Sequence, residues 1–397
     1  MKIFVIDDEP FALRLVGHQL RALGYTEIIA HTQAAQAVRA LEHDPTAADV
    51  ILLDLQMPEM DGIELVRHLA RLKFAGAVIF VSGEDTRIVQ TASRLATAHA
   101  LHVLGTLNKP VPPEALRLLL DATRTPKAPV RPAGKVYGPV ELAAAIAAGQ
   151  LVNHYQPKVE LATGRVVGVE TLVRWQHPVD GLVYPEQFIS VAEEHHLIDA
   201  LTLTVLTEAL RQARRWRDEG ATILVAVNVS MDNLGSLDFP DVVDRAMRDA
   251  GVPNKGIMLE VTEGRLMTDT VLALDTVTRL RLKQIGLSID DFGTGNSSMT
   301  QLRNIPFVEL KIDRSFVHGA DRDPSARAIV DASLTMARQL GLKSVAEGVE
   351  VLTDWHQMRA MGCDIAQGFF IARPMPADQF GVWLAEWNQH VGALIPE

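Results

Sequence analysis

The sequence predicts an α/β protein of two domains, a flavodoxin-like doubly wound parallel sheet followed by a (β/α)8 TIM-like barrel. Three observations lead there. Short apolar strand runs alternate with amphipathic helical patterns along most of the chain, the signature of parallel strands wrapped by helices. The alternation is interrupted by TRTPKAPVRPAGK (123–135), whose Pro, Gly and basic residues read as an extended linker. The part before it has room for five βα units, and the part after it has the ~250 residues of one barrel. The expected boundaries are residues 1–122, a linker at 123–137, and 138–397.

Within the first part, KIFVI (2–6), VILLDL (50–55), GAVIFVS (76–82) and LHVLGT (101–106) read as strands. FALRLVGHQLRAL (11–23) and EALRLLLDA (114–122) have apolar residues at helical spacing. After the linker comes a helix, PVELAAAIAAG (139–149). The strand runs that follow are VVGVETLV (166–173), TILVAVNVS (222–230), GIMLEVTE (256–263), GLSIDDFG (286–293), FVELKID (307–313) and SVAEGVE (344–350). ALTLTVLTEALRQARRW (200–216) and ARAIVDASLTMARQLG (326–341) are helical patterns between them.

Composition narrows the function classes. Of 397 residues 48% are apolar, enough for two cores, and 38 Lys+Arg stand against 49 Asp+Glu for a net charge of −11. An acidic balance argues against a DNA binder, whose affinity rests on a basic field. The single cysteine, Cys363, excludes a disulfide framework and a Cys-based zinc cage and fits a reducing cytoplasm. No apolar run approaches the ~20 residues that span a bilayer, so no membrane association is expected. The amino terminus turns acidic at Asp7, before a signal-peptide core could form.

In the first domain, acids stand at strand ends: Asp7 and Asp8 after KIFVI, and Asp54 inside VILLDLQMPEMDG. In a doubly wound sheet these ends meet at the switch-point crevice. Three carboxylates there repel one another unless a divalent cation holds them, which suggests an oxygen-ligand Mg²⁺ site. Another strand ends in the Ser82 hydroxyl, and a further one leads to Lys109 and Pro110. With these motifs, residues 1–122 resemble a response-regulator receiver domain. The resemblance implies that Asp54 accepts a phosphoryl group from a cognate histidine kinase, with Mg²⁺ compensating charge and Ser82 and Lys109 contacting the phosphate. Thr106 stands where that family usually carries Tyr or Phe, which removes the usual aromatic read-out.

The second domain repeats the pattern. Glu170, Asn228, Glu260, the pair Asp290 and Asp291, Lys311, Glu347 and Gln367 each fall at the end of a successive strand, where barrels build their active sites. Carboxylates with one Asn and one Lys, and no His, select Mg²⁺ or Mn²⁺ over zinc. Adjacent Asp290 and Asp291 cannot both ionise in a confined pocket without cations. Two cations about 3.5–4 Å apart, sharing a carboxylate, suit in-line attack on phosphorus. The lysine can orient the attacking water. Phosphoester hydrolysis is thus the reaction class reached from residue types.

The ordered motifs YQP (155–157), ETLVRW (170–175), NVS (228–230), LEVTE (259–263), DDFGTG (290–295), LKID (310–313), AEGVE (346–350), QGFF (367–370) and RPMP (373–376) resemble those of EAL-type cyclic-di-GMP phosphodiesterases. That resemblance implies hydrolysis of cyclic di-GMP to linear pGpG. It implies Glu170, Asn228, Glu260 and Asp290 as ligands of one cation, and Asp290, Asp291 and Glu347 as ligands of the other. Lys311 then holds the nucleophilic water, Glu347 accepts its proton, and Gln156, Arg174, Asp313 and Gln367 line the substrate site. Glu350 buttresses that site and Glu263 supports the DDFGTG loop. Two positions depart from the family: Thr171 replaces the alanine of EAL, with little effect expected, and Asn296 replaces an aromatic residue after DDFGTG, which alters loop packing. Homodimers or higher oligomers are the family expectation. The competing readings are a catalytically weak cyclic-di-GMP receptor and a protein-docking module; a receptor typically lacks metal ligands or the lysine, and all are present here. No GG(D/E)EF-like loop supports a cyclase.

Overall fold

The structure is a computed structural model that describes residues 1–83, 86–121, 135, 137–262, 270–294, 302 and 305–394. It divides into two compact units, Met1–Ala133 and Gly134–Glu397. Most of the expected linker lies outside the described residues, as do Glu263 and Asn296.

In the first unit β1 (Lys2–Ile6), β2 (Glu27–His31), β3 (Val50–Asp54), β4 (Ala77–Ser82) and β5 (His102–Asn108) form a sheet in the order β2-β1-β3-β4-β5. Every pairing is parallel. Because side chains alternate across a strand, Phe4, Ile6, Ile51, Leu53 and Phe80 enter one core, while Ile3, Val5, Val50, Leu52 and Ile79 enter the other. Such strands are apolar throughout, which made them legible. β2 was not anticipated: EIIAH is an edge strand, mostly exposed, and offers no continuous apolar run. The strand order reverses between β1 and β3, so the acids that follow or end these strands share one crevice.

In the second unit eight strands close a ring: β6 (Leu151–Glu160), β7 (Val166–His177), β9 (Leu224–Val229), β10 (Ile257–Thr262), β11 (Gly286–Phe292), β12 (Glu309–Ile312), β13 (Lys343–Ala346) and β14 (Ile365–Ala366). The short strands β8 (Gly181–Val183) and β15 (Met375–Pro376) lie outside it. The barrel has one departure from an all-parallel ring, since β6 runs antiparallel to both β7 and β14. The sequence offers 155–157 only as a motif, and its first apolar strand run after the linker starts at Val166. Pro157 and Lys158 argue against a buried strand, but the ladder accommodates them with a register shift at Lys158/Val159. Tyr155 packs outward, edge-on to Trp216 of the helix Ile198–Asp218 at 5.0 Å.

Candidate active site

The barrel site is built around a buried cation. Lys311, on β12, is fully buried, and its Nζ lies 2.7 Å from Glu347 Oε1, 3.0 Å from Asp290 Oδ1, 3.1 Å from Glu260 Oε2 and 3.7 Å from Glu170 Oε2. Burial alone would discharge this ammonium, but four carboxylates raise its pKa well above the ordinary lysine value. Carboxylate oxygens of Glu170, Glu260 and Asp290 lie within 4.8 Å of one another, and those of Asp290, Asp291 and Glu347 do the same. Asp290 belongs to both groups.

Neighbouring residues on a strand normally face opposite sides. Asp290 and Asp291 escape that rule. The β11–β12 ladder shifts register between Ile289 and Phe292, and Asp291 has φ +55°, so both carboxylates reach the same acidic cluster. The Asp291 amide donates to Asp290 Oδ1 at 2.9 Å. Glu347 sits just beyond the end of β13, which is shorter than the run expected at 344–350.

Burial is the main influence on the protonation of these carboxyls, and mutual repulsion adds to it. Burial, then Asp290 and Asp313, push Asp291 up to about 6. Burial raises Glu347 to about 8, assisted by Asp290 and Glu170 against the pull of Lys311. Glu170 is likewise raised by burial, with Glu260 and Asp290 adding to it. Glu260 goes the other way: burial disfavours its charge, yet Lys158 and Lys311 hold it down to about 2.

Polar side chains orient the rim. Glu170 Oε1 accepts from Asn228 Nδ2 at 2.8 Å, and Glu170 Oε2 accepts from Gln367 Nε2 at 2.6 Å. Gln367 Nε2 also donates to Gln156 Oε1 at 3.0 Å. Gln156, Glu170, Arg174, Glu347, Glu350 and Gln367 line one cleft of about 400 Å³. Gly368 is there because a Cβ would meet the Val349 carbonyl at 2.2 Å. Tyr184, Arg314 and Phe369 join the cleft without having been singled out. Arg174 lies over the Tyr184 ring at 5.0 Å, and Arg373 over Phe369 at 4.2 Å. Asp313 stands beside Asp291 rather than in that cleft, and its Oδ1 caps the helix Arg314–Val317 through the Ser315 amide at 2.9 Å. Thr171 is buried and, one residue after Glu170, lies on the opposite face of β7.

The first unit holds a smaller version of this arrangement. Asp7, Asp8 and Asp54 bring oxygens within 4.8 Å of one another, and Lys109 Nζ bridges Asp7 Oδ2 and Asp54 Oδ2 at 2.7 Å each. Burial raises the Asp54 carboxyl, and the Lys109 hydrogen bond partly offsets this. Ser82 is fully buried at the end of β4, whereas Thr106 is exposed on β5. Gly62 begins the next helix so close beneath Asp54 that a Cβ would meet the Asp54 carbonyl at 2.7 Å.

Comparison with known proteins matches a family to each unit. The EAL domain family matches residues 140–374, and the response regulator receiver domain family matches residues 3–121. The cyclic di-GMP phosphodiesterase RocR of Pseudomonas aeruginosa is 31% identical over 383 residues, 96% of this chain and 97% of that protein. The bifunctional diguanylate cyclase/cyclic di-GMP phosphodiesterase MucR of the same organism is 42% identical over 240 residues, 60% of this chain but 35% of that protein. A solved structure described as the PaMucR phosphodiesterase in complex with c-di-GMP superposes with a TM-score of 0.58 at 42% identity, covering 61% of this chain and 98% of that one. The cAMP-bound EAL enzyme Bd1971 gives a TM-score of 0.59 at 25% identity over 76% of each chain. Among the described residues no helix is long and apolar enough to cross a membrane.

Proposed function

The chain belongs to the EAL domain family and is a response regulator whose barrel is a cyclic di-GMP phosphodiesterase; from that premise we propose a two-cation hydrolysis to linear pGpG, modulated by phosphorylation of Asp54. The observation that supports it most is the membership of Asp290 in both acidic groups, with Lys311 in contact with both. The donors are all hard oxygens, and the raised Asp291 and Glu347 carboxyls are what bound cations would relieve. Glu170, Asn228, Glu260 and Asp290 would hold one Mg²⁺ or Mn²⁺, and Asp290, Asp291 and Glu347 the other. Such a pair, when bound, supplies Lewis acidity and lowers the cost of ionising water.

The remaining work falls to the chain's own side chains. Gln156, Arg174 and Gln367 hold the dinucleotide in the cleft, Arg174 offering a planar fork to phosphate oxygens. Asp313, beside Asp291 and outside that cleft, would meet the dinucleotide at the cation end, and Glu350 buttresses the cleft. Lys311 donates a hydrogen bond that fixes the attacking water, and Glu347 takes its proton. As the water oxygen bonds to phosphorus, the P–O3′ bond breaks in line. The 3′ oxygen leaves and takes up a proton from solvent, balancing the one that Glu347 accepted, and the ring opens.

In the receiver, Asp7, Asp8 and Asp54 would hold one Mg²⁺, while Ser82 and Lys109 receive the phosphate oxygens. The donor is a histidine kinase. The domains are 1–122 and 138–397, working in the cytoplasm as a homodimer or higher oligomer without DNA. The test is to incubate the purified chain with cyclic di-GMP and Mg²⁺ and separate the products. Appearance of pGpG is expected; cyclic di-GMP bound but intact would turn the reading to a receptor.

A further inference from the structure

Barrel interiors are ordinarily filled by branched apolar side chains. Beneath the acidic cluster this barrel is polar instead. Glu260, Ser288 and Glu309 occupy one register level across β10, β11 and β12, two residues below Asp290 and Lys311. Lys158 reaches this level from β6. All four are buried. Lys158 Nζ hydrogen-bonds Glu260 Oε1 and lies 2.9 Å from Glu309 Oε1, which also accepts from Ser288 Oγ at 3.0 Å. The other oxygen of Glu260 faces Lys311 at 3.1 Å.

We propose that Lys158 and Glu309 are positioning residues that lock Glu260 in its cation-binding orientation, an inference that rests on the two-cation reading above. Each oxygen of Glu260 has its own ammonium partner, so the carboxylate cannot rotate without breaking a buried, charge-assisted hydrogen bond. Lys158 and Glu309 are absent from both acidic groups and from the substrate cleft. A buried ion pair of this kind gives little net stability, because desolvation consumes the Coulombic gain. Its place is explained by what it holds. The antiparallel run of β6 matters here: it puts Gln156 at the cleft and Lys158 one inward-facing position deeper, so a single strand serves both substrate and ligand.

Two roles for Lys158 predict opposite signs. If it acted only as a positive charge near the cations, its removal would tighten their binding. If it orients Glu260, removal weakens it. The experiment uses the full chain with Lys158→Met, Glu309→Gln and the charge-neutral double Lys158→Met/Glu309→Leu. Mn²⁺ uptake without substrate is read from the electron paramagnetic resonance signal of free Mn²⁺, beside melting curves and the Mn²⁺ dependence of pGpG release. The receiver contributes equally to every protein, so differences report on the barrel. The double variant should melt close to wild type and bind Mn²⁺ about 10–100-fold more weakly, the usual cost of losing an outer-sphere partner. Its turnover should return at high Mn²⁺ with KM for cyclic di-GMP unchanged. Glu309→Gln, which keeps an acceptor for Lys158, should fall between. A folded double variant with wild-type Mn²⁺ affinity, or a tighter Lys158→Met, overturns the inference alone. Wild type that takes up no Mn²⁺ overturns the two-cation reading as well.

Discussion

The two acidic sites of this molecule use the same parts at different depths. In the receiver, three carboxylates face one lysine that keeps a quarter of its side-chain surface in solvent. In the barrel, six carboxylates, counting Glu309, surround two lysines with 0% and 2% exposure. The receiver site is thus left with two uncompensated negative charges, the charge of one divalent cation. The barrel site, with every carboxyl ionised, is left with four, the charge of two. Depth then sets how strongly the deficit is felt, because the same charges interact several-fold more strongly away from water. A lysine still in contact with water suits a phosphoryl group that comes and goes. A cluster around fully buried lysines must be neutralised before it can bind an anionic substrate.

Removing cations gives the largest expected effect. Chelation with EDTA should abolish pGpG release, and Mg²⁺ or Mn²⁺ should restore it. Ca²⁺ should inhibit, because its longer bonds and looser shell misplace the water. Strong turnover with Ca²⁺ alone would break the barrel half of the comparison. Next comes Asp290→Asn, which removes the carboxylate common to both acidic groups. Turnover should drop by more than the roughly 100-fold typical of a supporting residue, while cyclic di-GMP binding survives through Arg174 and Gln156. Near-normal product release from this variant would show that the two groups do not act together.

Proton linkage offers a finer reading. Burial and neighbouring carboxylates push Asp291 up to about 6 and Glu347 up to about 8. Each must lose its proton to bind metal, so metal affinity should weaken as pH falls through those values, by up to about tenfold per unit between them and up to about a hundredfold per unit below the lower one, where two protons are displaced. For the metal-free protein the sign reverses. A carboxyl with a raised folded-state pKa stabilises the fold below its unfolded value, and that contribution disappears as pH rises through the folded one. Melting temperature without cations should therefore fall across this range, and Mg²⁺ should restore it most at the alkaline end. A flat Mn²⁺ titration over the same range would mean the deficit is met by other groups.

The strand-end acids were readable because a run of apolar residues followed by a carboxylate has few structural explanations, and several in sequence have fewer. What the pattern hid was geometry. Alternation puts Asp290 and Asp291 on opposite faces, and only the register shift with a left-handed Asp291 unites them. Lys158 was hidden by Pro157 beside it, which reads against a buried strand, and Glu309 by a position at which apolar filling is expected. Tyr184 and Phe369 reach the cleft from loops and Arg314 from the first turn of a four-residue helix, none of which a local periodicity encodes.

The smallest effect should come from the receiver. Lys109 now bridges Asp7 and Asp54, so a phosphoryl group on Asp54, adding close to two negative charges, competes directly for that ammonium. Thr106 is exposed and has no ring to swing inward, which leaves Lys109 and the buried Ser82 hydroxyl as the groups that can register the change. Both lie at the ends of neighbouring strands, and the Lys109 amide donates to the Ser82 carbonyl at 2.9 Å, so they move as a unit. Coupling through two hydrogen-bonded strand ends is modest, within the ~1–3 kcal/mol usual between distant sites. Beryllium fluoride with Mg²⁺ should accordingly raise pGpG release by roughly fivefold, the low end of that range. Asp54→Asn should retain basal hydrolysis and lose the response. An equal response in both proteins would remove Asp54 as the switch, and no response in either would confine the receiver to docking.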